Sequence, residues 1–206
     1  MLRSDIINAL VKKYNYNTYL EVGYGNGDTF HRVELPLEKK IGIDGGNGTP
    51  PNDKHVVRMT SDEYFQKNQQ FTNLTFDIIF IDGSHLCENV ENDLRNALEC
   101  LNPSGAIVMH DCLPPNKYYQ ERTQSPHVTG WTGDTWKAYM KFRATRQDIE
   151  MCVVDTDYGC GVVRYGTQEL VQLDLENDLI YDNLEKNKVE WLNLVSVDNF
   201  VERLKR

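Results

Sequence analysis

No two of the five cysteines (Cys87, Cys100, Cys112, Cys152 and Cys160) stand at Cys-x-x-Cys spacing, and their number is odd. That pattern fits reduced thiols in a cytoplasmic protein and not a disulfide framework. No apolar run approaches the roughly 18 residues of a membrane span. The start, Met1-Leu-Arg-Ser-Asp-Ile-Ile-Asn, reads as an amphipathic helix and not as a signal peptide. Positive charge is scarce, with 22 Lys and Arg against 31 Asp and Glu, a net charge of −9. Such a chain is a poor general binder of nucleic acid or of a membrane surface, although a small basic pocket remains compatible with it. Internal repeats and low-complexity tracts are also missing. What remains is an ordinary globular composition, 40% hydrophobic and 26% charged, over 206 residues. It suits one domain, residues 1–206.

Strands and helices alternate along most of the chain. Residues 4–14 read as a helix, with Ile6, Ile7, Leu10 and Val11 on one face and Ser4 as its cap. Strands are predicted at Thr18–Val22, Lys40–Asp44, His55–Arg58, Phe76–Ile81 and Ala106–His110, with helices at Asp28–Glu34, Ser61–Asn68 and Leu86–Leu101. Phe76-Asp-Ile-Ile-Phe-Ile is nearly continuous apolar sequence, as in a strand covered on both faces. Alternation of this kind implies right-handed crossovers and a parallel sheet, with ligands beyond the carboxyl ends of the strands. Residues 112–133, broken by Pro114, Pro115, Pro126, Gly130 and Gly133, read as a long loop. Asp134–Arg146 then reads as a helix, and Glu150–Asp155 with Gly161–Tyr165 as an antiparallel hairpin at the sheet edge. Further helices are expected near Leu175–Lys186 and at the end, the last capped by Ser196 with Phe200, Val201 and Leu204 inward.

Chemistry gathers at the strand ends. The first strand runs through Glu21 into a turn punctuated by Gly23, Gly25 and Gly27, where the backbone can turn tightly and approach a ligand. The second ends in Asp44, the third leads into Thr60-Ser61-Asp62, the fourth gives Asp82-Gly-Ser-His85, and the fifth His110-Asp111. Singly, each has a plain structural explanation. Asp44 would cap a turn, Ser61 a helix, and His110 would be a satisfied buried histidine. Five polar ends on one edge of a buried sheet are costly unless they are used. A dinucleotide fingerprint would have a third glycine where this chain has Asp28, and that carboxylate would sit where a pyrophosphate is held. A cofactor without phosphate and with a cationic amino-acid end fits better: acids meet its charges and Asp44 accepts from its ribose.

These motifs (Leu20-Glu-Val-Gly-Tyr-Gly-Asn-Gly-Asp-Thr, Ile41-Gly-Ile-Asp, Phe76-Asp-Ile-Ile-Phe-Ile-Asp-Gly-Ser-His and Gly105-Ala-Ile-Val-Met-His-Asp) resemble class I S-adenosylmethionine-dependent methyltransferases over most of residues 18–112. Ile81-Asp-Gly-Ser-His, then Asp93-Leu and His110-Asp111, resembles a subgroup found among small-molecule and sugar O-methyltransferases. The resemblance implies a Rossmann-like α/β fold. Its doubly wound, mostly parallel sheet would have seven strands, an antiparallel edge hairpin and helices on both faces. It implies that Glu21, Gly23, Tyr24 and Gly25 line the methionine end of the cofactor, that Asp44 holds the ribose, and that Thr60, Ser61 and Asp62 lie near the adenine, with Asp82 also beside the cofactor. By likeness to metal-dependent catechol-type and macrolide-sugar enzymes, Asp82, His110 and Asp111 would bind a divalent metal, Mg or Mn, and His85 would be the catalytic base beside Asp82 and Asp111. The catechol-type pattern has Asp-Asn where this chain has His110-Asp111, and a nitrogen ligand favours Mn, Fe or Zn over Mg.

The expected function is therefore O-methylation of a small-molecule hydroxyl, a sugar or glycosylated metabolite foremost, with residues 112–136 covering the acceptor and Trp131 to Lys137 contacting it. The competing reading of that last segment makes Trp136, Met140 and Phe142 core residues of a helix. An NAD-dependent oxidoreductase is the alternative enzyme, opposed by Asp28 and by the lack of a Tyr-x-x-x-Lys pair. A non-catalytic cofactor-binding module on the same fold is the alternative outside enzymes. No nucleic-acid or membrane partner is expected, and a homo-oligomer is left open.

Overall fold

The computed structural model describes residues 1–46 and 54–205. Helix α1 (Arg3–Tyr14) leads into β1 (Tyr19–Val22), α2 (Asp28–Arg32), β2 (Lys40–Ile43), β3 (Val56–Val57), α3 (Ser61–Lys67), β4 (Phe76–Ile81), α4 (Cys87–Glu99) and β5 (Leu101–Met109). After a long loop come α5 (Thr135–Thr145), β6 (Ile149–Val154), β7 (Cys160–Tyr165), α6 (Tyr181–Trp191), β8 (Leu194–Val195) and α7 (Val197–Lys205). One sheet has the order β3-β2-β1-β4-β5-β7-β6-β8, and β7 alone runs against its neighbours. The doubly wound α/β architecture is as the sequence implied. Among the described residues the sheet has eight strands where seven were expected, because the two-residue β8 pairs in parallel with β6. The β6–β7 hairpin is therefore one strand in from the edge.

Alternation along the central strands divides the interior in two. Leu20, Ile79, Ile107 and Met109 face α3, α4, α5 and α6, whereas Tyr19, Ile78, Phe80 and Val108 face α1, α2 and α7. Burial on both faces is what the apolar run of β4 requires. From β1 the chain steps outward to β2 and β3, then returns across β1 to form β4. The crevice at this reversal, beyond the carboxyl ends of β1 and β4, is where sheets of this type hold ligands.

Several caps and boundaries differ from the expectation. Ser4 lies buried inside α1, and Asp5 instead reaches back to accept from the Leu2 amide at 2.7 Å. Thr60, not Ser61, caps α3: its hydroxyl accepts from the Glu63 amide at 3.2 Å while Glu63 accepts from the Thr60 amide at 3.1 Å. The late helix begins at Tyr181 and not near Leu175. The expected Ser196 cap is present, accepting from Asn199 at 3.2 Å.

Candidate active site

The register of β1 against β4 pairs Val22 with Ile81, so the glycine turn lies directly against Asp82. A Cβ on Gly23 would stand 2.2 Å from the Asp82 carbonyl oxygen, and Gly23 has φ +89°. Only glycine fits there. The Gly25 amide donates to Asp44 Oδ2 at 2.7 Å and the Gly46 amide to Oδ1 at 2.8 Å, which ties the turn to the end of β2. Tyr24 borders the site, yet its ring is buried edge-to-face on Phe30 with centroids 5.1 Å apart.

Two cavities meet at this crossing, and Gly23, Gly25 and Asp82 line both. The larger, about 550 Å³, runs past Asp44 to Thr60, Ser61 and Asp62 and reaches Asp93 of α4. Asp93 is buried, and its Oδ1 has no hydrogen-bond partner among the described residues. Burial pushes its carboxyl up to about 6, with the Ser61 hydrogen bond opposing and Asp62 adding. The smaller cavity, about 350 Å³, is walled by Glu21, Asp28, Asp82, Asp111, His85 and His110, with Arg3, Trp131 and Tyr158 at its rim.

Asp82, His85 and Asp111 bring one ligand atom each to within 4.8 Å of one another, a set of two carboxylates and an imidazole that suits a divalent cation. His85 Nδ1 lies 3.0 Å from the Trp131 carbonyl and 3.3 Å from Asp111 Oδ2, while Nε2 stands 3.7 Å from Asp82 Oδ1. With Nδ1–H donated to that carbonyl, Nε2 keeps the lone pair. The ring stacks on Trp131 at 4.8 Å. Asp111 adopts φ 61°, a left-handed conformation that aspartate tolerates better than most residues.

His110, expected among the metal ligands, is not in that set but lies against both of its carboxylates. Its Nδ1 lies 3.3 Å from Asp82 and 3.2 Å from Asp111, and its Nε2 lies 3.5 Å from Asp157. Burial works against charge on the ring, but the bonds to Asp111, Asp157 and Asp82 outweigh it and push the imidazole up to about 11.

Glu21 is 1% exposed. Burial pushes its carboxyl up to about 8, against the opposing hydrogen bond from Tyr19 and with Asp82 adding to the rise. In the native state Glu21 thus binds a proton over a range where the unfolded chain has lost it, so stability falls as pH rises through that range. His110 acts in the same direction above its ordinary value. The expected result is a ligand-free melting temperature that drops between pH 6 and pH 8. Glu21 alone contributes about 1.4 kcal/mol per pH unit there, which for a chain of this size is about 3–5 °C per unit. Scanning calorimetry checks it; a flat or rising profile, or an unchanged slope in Glu21→Gln, would rule this account out.

Residues 20–112 match a protein family described as a methyltransferase domain. Over that segment, a little under half of its length, the chain is similar to a methyltransferase domain. Among solved structures, an O-methyltransferase from Bacillus cereus in complex with S-adenosylhomocysteine superposes with a TM-score of 0.60 at 14% identity, covering 78% of this chain and 79% of that one. TomG from Streptomyces achromogenes, an O-methyltransferase of tomaymycin synthesis in complex with S-adenosylmethionine, gives 0.61 at 12% identity, covering 79% of each. These likenesses establish the shared fold. No curated protein sequence matches the chain. No helix among the described residues is long and apolar enough to cross a membrane.

Three parts of the site lie outside the matched methyltransferase segment, and two of them the sequence did not single out. Arg3 of α1 enters the smaller cavity. Asp157 and Tyr158 arrive from the β6–β7 turn, where Asp157, Tyr158 and Gly159 have φ 49°, 60° and 85°. The only local signal for that turn was Asp-Tyr-Gly between two strands. The third part is the loop before α5, which docks on the start of α4: the Asp134 amide donates to the His85 carbonyl at 3.0 Å, and Asp134 Oδ1 accepts from the Cys87 amide at 2.7 Å. Of the two tryptophans expected over an acceptor, Trp131 reaches the cavity. Trp136 is fully buried with Met140 and Phe142 in the core, as the competing reading had it.

Proposed function

We propose that this chain transfers the methyl group of S-adenosylmethionine to a hydroxyl of a small molecule, with a sugar or glycosylated metabolite as the favoured acceptor class. The observation that carries the proposal is the convergence of Asp82, His85 and Asp111 where the two cavities join. The larger cavity suits the adenosine, with Asp44 on the ribose hydroxyls and Ser61 and Asp62 beside the adenine. Gly23 and Gly25 let the methionine end lie on bare backbone, and Glu21 meets its ammonium. The sulfonium then points towards the smaller cavity, where Trp131 and Tyr158 offer ring faces to an acceptor and the loop at 112–136 covers it.

Asp82 and Asp111 would hold a divalent cation, Mg or Mn. Bound there, such a cation lowers the pKa of a hydroxyl it contacts. His85 Nε2 takes the acceptor proton as general base while the methyl carbon leaves sulfur for oxygen and the sulfonium becomes a thioether. The five free, mostly buried thiols support a reducing, cytoplasmic setting. The test is methyl transfer from labelled S-adenosylmethionine to a panel of saccharides, glycosides and phenols, with and without chelator. Transfer to a glycoside, cut about 100-fold or more by chelator and restored by Mg or Mn, is expected. Transfer confined to amines, or full activity in chelator, would refute the acceptor class or the cation respectively.

A further inference from the structure

The smaller cavity has an imbalance of charge. Four acidic side chains, Glu21, Asp28, Asp82 and Asp111, line it, and among the described residues Arg3 is the one lining side chain with a permanent positive charge. The methionine end of the proposed cofactor carries an ammonium and a sulfonium that suit those acids. It also carries a carboxylate that those acids repel. His110 is no answer to that carboxylate, since its ring nitrogens already face Asp82, Asp111 and Asp157.

Arg3 is held in place for such a task. Its Nε donates to Thr29 Oγ1 at 3.1 Å and lies 3.8 Å from Asp82 Oδ2, its Nη1 lies 3.3 Å from both Asp157 oxygens, and its backbone amide donates to Asp157 Oδ2 at 2.9 Å. Among the described residues these contacts leave Nη2 without a hydrogen bond. The side chain is 30% exposed and lines the cavity. Thr29, its partner, belongs to α2, the helix that follows the glycine turn where the methionine end would lie. A guanidinium is planar, always charged and matched to carboxylates, and it is fixed here before the ligand arrives.

We propose that Arg3 is the counter-charge for the carboxylate at the methionine end of the cofactor, a binding residue supplied by α1 from outside the matched segment. The inference rests on the methyltransferase reading above. Asp157 is then a positioning residue: it orients the guanidinium from the strained hairpin turn without touching the ligand.

Calorimetry with S-adenosylmethionine and its decarboxylated analogue separates this role from a merely structural one, because the two differ only in the carboxylate. The wild-type protein is expected to bind S-adenosylmethionine about 10- to 100-fold more tightly than the analogue, the range of a charge-assisted hydrogen-bonded pair. Arg3→Met should erase that ratio by weakening S-adenosylmethionine alone, and Arg3→Lys should keep part of it. Equal wild-type affinities, or an Arg3→Met protein that weakens both ligands alike or neither, overturn the proposal. Arg3→Lys serves if Arg3→Met does not fold, and an undiminished ratio in it also overturns the proposal. If the wild-type protein binds neither ligand, the methyltransferase reading falls first and this inference with it.

Discussion

Replacing His85 with alanine is expected to lower the rate of methyl transfer by about 10²- to 10⁴-fold, the range of a positioned general base. The affinity for S-adenosylhomocysteine should stay within about threefold, because the group acts on the acceptor proton and not on the cofactor. The geometry behind this is the way the ring is clamped. The Trp131 carbonyl takes Nδ1–H at 3.0 Å and the indole stacks on the imidazole. The His85 backbone is fixed as well, since a Cβ on Gly133 would stand 1.9 Å from its carbonyl oxygen, so the loop is in close contact there. Nε2 is left facing Asp82 and the cavity. A base role has a signature that a packing role lacks: the loss in His85→Ala should shrink as the acceptor hydroxyl becomes more acidic. A loss equal for all acceptors, or a turnover within about threefold of wild type, would show that His85 is not the base.

The parts of the molecule that were legible in the sequence are those with local causes. The apolar run at Phe76–Ile81 and the stripe of α4 declare a strand buried on both faces and its covering helix, and the structure has both. The polar strand ends were legible because in a parallel sheet they must share one edge. They meet as expected, around Gly23, Asp44, Asp82 and Asp111. Thr60 was misjudged in favour of Ser61, although Glu63 three residues later was the signal for it. β8 escaped notice because two residues carry no periodicity, and it exists only through its pairing with β6. Arg3 and Asp157 lie 154 residues apart, and nothing local in either marks it as part of a site. Asp157 also bears on His110, whose Nε2 it meets at 3.5 Å, a contact that nothing local in the sequence announces.

The second large effect is discrimination between cofactors. Asp28 stands at the mouth of the glycine turn, oriented by a 2.7 Å hydrogen bond from Asn26, and lines the same cavity as Glu21, Asp82 and Asp111. A pyrophosphate placed on this turn would bring two negative charges into an acidic wall, where each close like-charge pair is destabilising. S-adenosylmethionine brings a cationic centre and one carboxylate, and S-adenosylhomocysteine keeps the ammonium and carboxylate. α2 begins one residue after Gly27, so Asp28 occupies the helix N-terminus that would otherwise receive a phosphate. A preference of more than about 100-fold for the methionine-bearing ligand follows, since two or more such repulsive contacts are removed. Titration calorimetry of the wild-type protein with S-adenosylhomocysteine and, separately, with NAD decides the matter. One site for S-adenosylhomocysteine with a dissociation constant on the order of micromolar, and no heat from NAD, is the expected result. Binding of NAD in preference to S-adenosylhomocysteine, or of neither, would overturn the assignment of this site to methyl transfer.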